Sequence, residues 1–321
     1  MPQPCALPPE WACLEGRVSH VQRVSDKEVS CSCPSCGETG HVGTDAVDRC
    51  RLFTDSHPAL FCRKCGLIAY PDQFGGKDFP RPSSEQLETW RGERVKAEEA
   101  RKRSAERALE NLRRDKVWEQ YHNALGDSSR KWWRSRGIPD KWQDYWGFGW
   151  KDEYYVKGSD GETYYTPCAT IPLFTKKDEI ANIKHRLVTP PDGVGKYRYE
   201  LKHQPAPLFL TRPDRELADP VIAIEGELKA AVTFIYMKDL DACVVGLPGT
   251  NPPPRLIEQL QGHDVTLILD PGSDGQATKL AKAIGRCRVL TMSAKVDDVI
   301  LAMHADPYAI RSWLRQARGV M

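Results

Sequence analysis

The chain has 321 residues, 40% apolar and 28% charged, with a formal net charge of +2. This length accommodates two or three domains with sizeable cores, and the composition is that of globular proteins, which excludes a wholly disordered chain. No stretch approaches the roughly eighteen apolar residues of a membrane span, so no membrane partner is expected. Met1-Pro2-Gln3-Pro4 has neither the basic start nor the apolar centre of a signal peptide. The eleven cysteines are odd in number and partly spaced as CxxC, which favours a reduced, cytoplasmic compartment with metal-bound thiolates over disulfides.

Residues 1–80 read as a small module of short strands built around two cysteine pairs. Cys33-Pro34-Ser35-Cys36-Gly37 and Cys62-Arg63-Lys64-Cys65-Gly66 each set two thiolates on a tight turn, with a glycine where backbone amides approach sulfur. Twenty-five residues lie between the pairs, room for a hairpin arm. Four thiolates complete a tetrahedron around Zn²⁺, a closed structural site and not a hydrolytic one. Cys31, His41, Cys50 and His57 are spare ligand candidates, whereas Cys5, Cys13, Cys168, Cys243 and Cys287 read as ordinary thiols. Pro80, Pro82 and Ser83-Ser84 then mark a break. Residues 81–125 are expected to be a basic helical linker, polar and helical from Glu85 to about Tyr121, serving as a solvated spacer or as a phosphate-contacting arm.

Residues 126–218 form the next segment. Trp132, Trp133, Trp142, Trp146 and Trp150 crowd its beginning and suit core packing, with Trp132, beside Arg130, Lys131 and Arg134, a candidate for stacking on an unpaired base. Strands are predicted at 162–165, 169–174, 180–188 and 197–201, with turns at Asp160-Gly161, Lys177-Asp178 and Pro190-Pro191-Asp192-Gly193. From Pro220 apolar strands alternate with helical segments, the rhythm of a parallel α/β sheet. Val221–Ile224 ends in Glu225-Gly226-Glu227, Thr266–Leu269 ends in Asp270, and Val296-Asp297-Asp298 follows a further strand. Carboxylates at the carboxyl ends of successive parallel strands can gather divalent metal over the crevice. An amphipathic helix is predicted near 307–316. The fold class expected is α/β and multi-domain: zinc ribbon, helical linker, mixed α+β subdomain and, over 219–321, a Rossmann-like parallel sheet with a C-terminal helix. No Gly-x-x-x-x-Gly-Lys-Ser/Thr loop occurs, so a fused P-loop helicase is absent from this sequence.

The three carboxylate strand ends resemble the TOPRIM fold of bacterial primases, type IA and II topoisomerases and some nucleases. Upstream, Trp133–Ile138 with Trp146–Trp150, Ile171–Phe174 with Ile183–Arg186, Lys196-Tyr197 with Pro207–Phe209, and Leu247–Thr250 follow the segment order of DnaG-type and phage-type DNA primases, behind a zinc ribbon. The likeness spans residues 31–70 and 126–305 and lies in the order of many modest motifs. It implies a nucleotidyltransferase that makes short RNA primers on single-stranded DNA from ribonucleoside triphosphates, in the cytoplasm of a bacterial or phage-infected cell, beside a separate replicative helicase. It further implies structural Zn²⁺, and catalytic Mg²⁺ or Mn²⁺ on Glu225, Asp270 and Asp298. Lys184, Arg186, Lys196, Arg198 and Lys202 are then candidates for nucleotide phosphates and template. Three accessory acids of that family are missing: Lys229 stands four residues after Glu225, Asp270 is followed by Pro271-Gly272, and Val296 precedes the last pair. Asp274 and Asp297 are the accessory candidates, though each opens a helix, where capping is an equal use. The depleted acids leave two alternatives: a non-catalytic recombination mediator of the RecR type that binds single-stranded DNA, and a TOPRIM nuclease. A topoisomerase is disfavoured because the chain has no room for a cleavage domain and gate.

Overall fold

The computed structural model describes residues 3–37, 50–54, 57–63, 65–76, 84–158, 161–176, 179–202, 204–237, 242–302, 306, 308, 312, 318 and 319. His41, the Lys177-Asp178 turn, the break at Pro80–Ser83 and nearly all of the helix expected over 307–316 lie outside them. The chain divides into two compact units, Met1–Glu98 and Glu99–Met321.

In the first unit six short strands, β1 (Gln3–Pro4), β2 (Gln22–Ser25), β3 (Glu28–Cys31), β4 (Cys50–Phe53), β5 (Leu60–Cys62) and β6 (Ile68–Ala69), pair antiparallel in chain order. Two 3₁₀ turns, Pro9–Leu14 and Pro71–Phe74, flank them. The module is too small for a deep apolar core, and its interior combines Trp11, Leu14, Val29, Leu52 and Leu60 with four cysteines. Trp11 keeps its indole N–H satisfied by donating to the Phe53 carbonyl at 2.9 Å.

Helix α1 (Ser84–Arg114) is exposed along most of its length. The single helix expected to Tyr121 is interrupted: Lys116 takes a left-handed φ of 46° and α2 (Val117–Asn123) follows. Leu112 is buried against Ile180 and Ile183, and Arg113 donates to the Ile180 carbonyl at 2.9 Å. The last turn of α1 is thus a packing element.

In the second unit α3 (Asp127–Ser135) and α4 (Asp140–Trp146) carry the tryptophans inward. A four-stranded antiparallel sheet follows, β7 (Gly149–Lys157), β8 (Thr163–Lys176), β9 (Glu179–Leu187) and β10 (Tyr197–Tyr199), with spatial order β10-β9-β8-β7. The two strands expected at 162–165 and 169–174 are one, because Pro167 lies within a continuous β8. The α/β part comprises β11 (Phe209–Leu210), β12 (Val221–Glu225), α5 (Glu227–Met237), β13 (Cys243–Leu247), α6 (Pro254–Glu258), β14 (Val265–Ile268), α7 (Asp274–Ile284), β15 (Cys287–Val289), α8 (Val296–Ala302) and β16 (Arg318–Gly319). Its sheet has the order β11-β13-β12-β14-β15-β16; the central four strands are parallel, and both edge strands run antiparallel to their neighbours.

The central strands are apolar at nearly every position because both faces are covered. Ile222 and Ile224 face a core shared with Trp133, Trp146, Phe148 and Ile171. Val221 and Ala223 face Leu256, Leu280 and Ile284 on the other side. The first of these cores joins the antiparallel and parallel sheets and holds the cleft between them.

Candidate active site and metal centre

The sulfurs of Cys33, Cys36, Cys62 and Cys65 all lie within 4.8 Å of one another. Cys33 and Cys65 are 3.7 Å apart, and Cys36 and Cys62 3.8 Å. A tetrahedron with Zn–S bonds of about 2.3 Å has sulfur–sulfur edges of about 3.8 Å, so the set fits zinc. Each knuckle closes by an amide bond back to its first cysteine: Gly37 N–H to the Cys33 carbonyl at 3.0 Å, and Gly66 N–H to that of Cys62 at 2.9 Å. Both glycines have left-handed φ, 66° and 73°, which a Cβ would strain. Burial pushes the Cys33 thiol well above its ordinary value, and a bound cation reverses that by stabilising the thiolate. Of the spare ligand candidates, Cys31 and Cys50 are register partners across β3 and β4, with Cys31 raising the Cys50 thiol, and His57 sits edge-on to Trp90 at 5.5 Å.

The acids converge at the carboxyl ends of β12 and β14. Glu225 closes β12, and Gly226, at φ 94°, turns the chain sharply into α5, so that Glu225 and Glu227 leave the turn in different directions. The Asp270 N–H donates to Glu225 Oε2 at 3.0 Å and holds the two strand ends together. Lys229, in the first turn of α5, places its ammonium 2.5 Å from Asp270 Oδ1. Asp297 and Asp298 open α8 beside them. Burial, followed by the charge of Asp298, raises the Asp297 carboxyl above the ordinary aspartate range, while Lys229 acts in the opposite direction. Asp297 Oδ1 is buried without a hydrogen-bond donor among the described residues, an orphan that a divalent cation would satisfy.

These acids form one wall of a cavity of about 410 Å³; Arg136, Arg186, Lys196 and Lys295 line it as well. The arginines are organised by an aromatic ring: Arg186 lies over Trp132 at 5.0 Å and Arg136 at 5.4 Å. Trp132 in turn packs edge-on against Trp133 and Trp150. The candidate ring for base stacking carries two guanidinium groups instead. Burial, then the Arg186 charge, pulls the Arg136 pKa below the ordinary arginine value. Arg186 Nε is buried with no acceptor among the described residues, and a phosphate oxygen would complete it.

The expected basic residues divide by strand register. Arg186 and Lys184 alternate with His185 on β9, and Arg198 pairs with His185, which puts Arg198 on the sheet face opposite Lys184 and Arg186. Arg198 instead donates to the Gly195 and Tyr197 carbonyls. Lys202 is exposed beyond the end of β10, and neither it nor Arg198 lines the cavity. Asp274 is exposed at the first position of α7, after the N-cap Ser273, so it neither lines the cavity nor caps the helix.

Lys184 does reach the cavity, but its ammonium is held by both carboxylate oxygens of Glu227, at 2.7 and 2.6 Å, with both side chains at most 5% exposed. Burial disfavours the Lys184 charge; Glu227 and Tyr199 outweigh it and hold the pKa above the ordinary value. Glu227, Arg136, Tyr197 and Lys295 are cavity residues that the sequence reading did not assign to the site. Arg136 stands within the Trp133–Ile138 motif and Lys295 directly precedes Val296-Asp297-Asp298, so adjacency was the available signal.

No protein-family profile matches the chain, and no curated protein matches it in sequence. In fold the chain is similar to several solved structures. One is the DnaG primase catalytic domain bound to ssDNA, at 16% identity and a TM-score of 0.53, covering 68% of this chain and 83% of that one. Another is the DnaG catalytic core, at 14% and 0.51, covering 66% and 81%. A third is the RNA polymerase domain of Mycobacterium tuberculosis primase DnaG in complex with a double-stranded DNA oligomer with a 6-nucleotide overhang, at 15% and 0.51, covering 67% and 81%. At these identities the likeness is one of fold.

Proposed function

We propose that the chain is a DnaG-type primase that joins ribonucleotides into short primers on single-stranded DNA by metal-dependent nucleotidyl transfer. The observation that carries this reading is the single cavity in which Glu225, Asp270, Asp297 and Asp298 meet Arg136, Arg186, Lys196 and Lys295. Its anionic part suits a divalent cation, and its cationic part suits the phosphates that cation would accompany. The fold likeness to a primase domain bound to single-stranded DNA supports the same reading. The zinc module, over residues 1–80, is assigned to template recognition, 126–218 to template and nucleotide binding, and 219–321 to a TOPRIM-type catalytic subdomain.

Glu225 and Asp270, with Asp298 from the first turn of α8, would hold Mg²⁺ or Mn²⁺. When bound there, the metal supplies charge that neutralises a triphosphate and makes a 3′-hydroxyl a better nucleophile. Arg186, oriented on Trp132, holds a phosphate oxygen through its unpartnered Nε, and Arg136, Lys196 and Lys295 stabilise charge developing on the departing pyrophosphate. The ring of Tyr197 faces the Lys184 ammonium at 4.5 Å at the cavity margin.

The test is incubation with single-stranded templates and labelled ribonucleotides, with Mg²⁺ and with Mn²⁺. Short oligoribonucleotides are expected from the wild type. They should disappear with Glu225→Gln or Asp270→Asn, substitutions close in shape that remove charge, while single-strand binding persists. A second reading, the non-catalytic mediator, is favoured by the Lys229–Asp270 pair, which occupies one acid of the cluster. Tight single-strand binding without product under either metal selects it, and template cleavage without added nucleotides selects a nuclease.

A further inference from the structure

We propose that Lys229 is a resident cation of the carboxylate cluster, its ammonium standing in for one metal ion so that the cleft takes a single divalent ion. This inference rests on the metal-dependent reading above. Its basis is position. Lys229 is the third residue of α5, and its side chain folds back over the turn that precedes the helix. A Cβ built on Gly226 would lie 3.8 Å from the Lys229 Nζ, an ordinary van der Waals contact, which places the lysine chain directly over the turn. There the ammonium meets Asp270 Oδ1 and lines the same cavity as Glu225, Asp297 and Asp298.

Several carboxylates gathered at one partly buried point repel one another unless cations are present. An ammonium is a compact charge with three donors. It neutralises acids as a metal does, but it offers no open coordination position and cannot polarise a hydroxyl as a Lewis acid. It therefore substitutes for a charge-neutralising ion and not for one that takes part in the chemistry. Among the described residues Asp270 Oδ2 and Glu225 Oε1 accept no hydrogen bond, whereas Asp270 Oδ1 and Glu225 Oε2 are engaged by Lys229 and by the Asp270 N–H. The two open oxygens line the same cavity as Asp298; among the described residues only the four cysteine sulfurs already lie within 4.8 Å of one another as a ligand group, so one ion would draw these acids together on binding.

The experiment is titration of the full chain with Mn²⁺, followed by electron paramagnetic resonance and calorimetry, in the wild type and in Lys229→Arg, Lys229→Gln and Lys229→Asp. Zinc content and circular dichroism serve as controls for folding. One Mn²⁺ is expected in the wild type, and the same in Lys229→Arg, which keeps the charge and covers the case in which an uncharged variant fails to fold. Lys229→Gln should bind its ion roughly tenfold tighter or more, because a neighbouring positive charge is gone. Lys229→Asp should bind a second ion. Two ions in the wild type, or an unchanged affinity in Lys229→Gln together with a single ion in Lys229→Asp, would overturn the inference. No Mn²⁺ in the wild type or any variant overturns the metal-dependent reading itself. An ion that binds only once the lysine charge is removed overturns the single-ion inference as well as the reading that the wild type works with a metal.

Discussion

Lys184 and Glu227 form the most enclosed ion pair among the described residues, 43 positions apart in sequence and joined at 2.6 and 2.7 Å. Removing one member of a buried pair strands the other charge, typically at a cost of about 3–5 kcal/mol, whereas replacing both with apolar groups is far milder. Lys184→Ala and Glu227→Ala are therefore each expected to lower stability by that amount in urea unfolding. Lys184→Met combined with Glu227→Leu should recover most of it. A loss of less than about 1 kcal/mol in both single variants would show that the charges reach water when unpaired. This pairing also marks what sequence could and could not convey. Glu225 and Asp270 were legible because βαβ succession brings strand ends to one edge, and the four cysteines because their spacing encodes the turn. Glu227 with Lys184, Lys229 with Asp270, and the arginines on Trp132 are tertiary partnerships that no local pattern announces.

At the scale of the element, the register of β9 against β10 decides which basic residues belong to the cleft. Residues 188–196 connect the two strands by a loop with no fixed-length turn, so its length did not dictate which face Arg198 would take; the pairing Arg198 with His185 settles it. The opposite face carries a polar cluster of its own. His185 Nε2 lies 2.6 Å from Glu200 Oε2, and Tyr121 donates to the same oxygen at 3.4 Å. The His185 hydrogen bond outweighs burial and holds the Glu200 carboxyl below its ordinary value of 4.5. A depressed folded-state pKa contributes stability that is present above the unfolded value and lost as pH falls through the folded one. Thermal midpoints followed from neutral pH to about pH 3 should fall more steeply in the wild type than in Glu200→Gln, with the divergence beginning as pH falls into the ordinary glutamate range. Parallel curves would remove Glu200 from the acid-sensitive groups.

The whole molecule is two compact units of unlike stabilisation. The first rests on a modest apolar interior and a four-sulfur cluster; the second has two extended cores, one on each face of its parallel strands. Metal-binding energy is folding energy in a small module of the first kind. A strong chelator should therefore release one zinc and abolish amide-exchange protection around β3, β4 and β5, while β12, β13 and β14 stay protected. Exchange that rises equally in both units, or zinc retained in Cys36→Ser with Cys65→Ser, would contradict that division.

The turn Glu225-Gly226-Glu227 sends one glutamate towards Asp270 and the next to Lys184 on the neighbouring sheet. The cleft can be viewed as a charged gap with a negative plate and a positive plate, and the Lys184–Glu227 pair as the insulated strut between them. Because that strut is itself net neutral, it sets the separation without adding to either plate. The field across the gap then depends on Lys229 at one side and on the Trp132-mounted arginines at the other, and each can be altered without moving the plates.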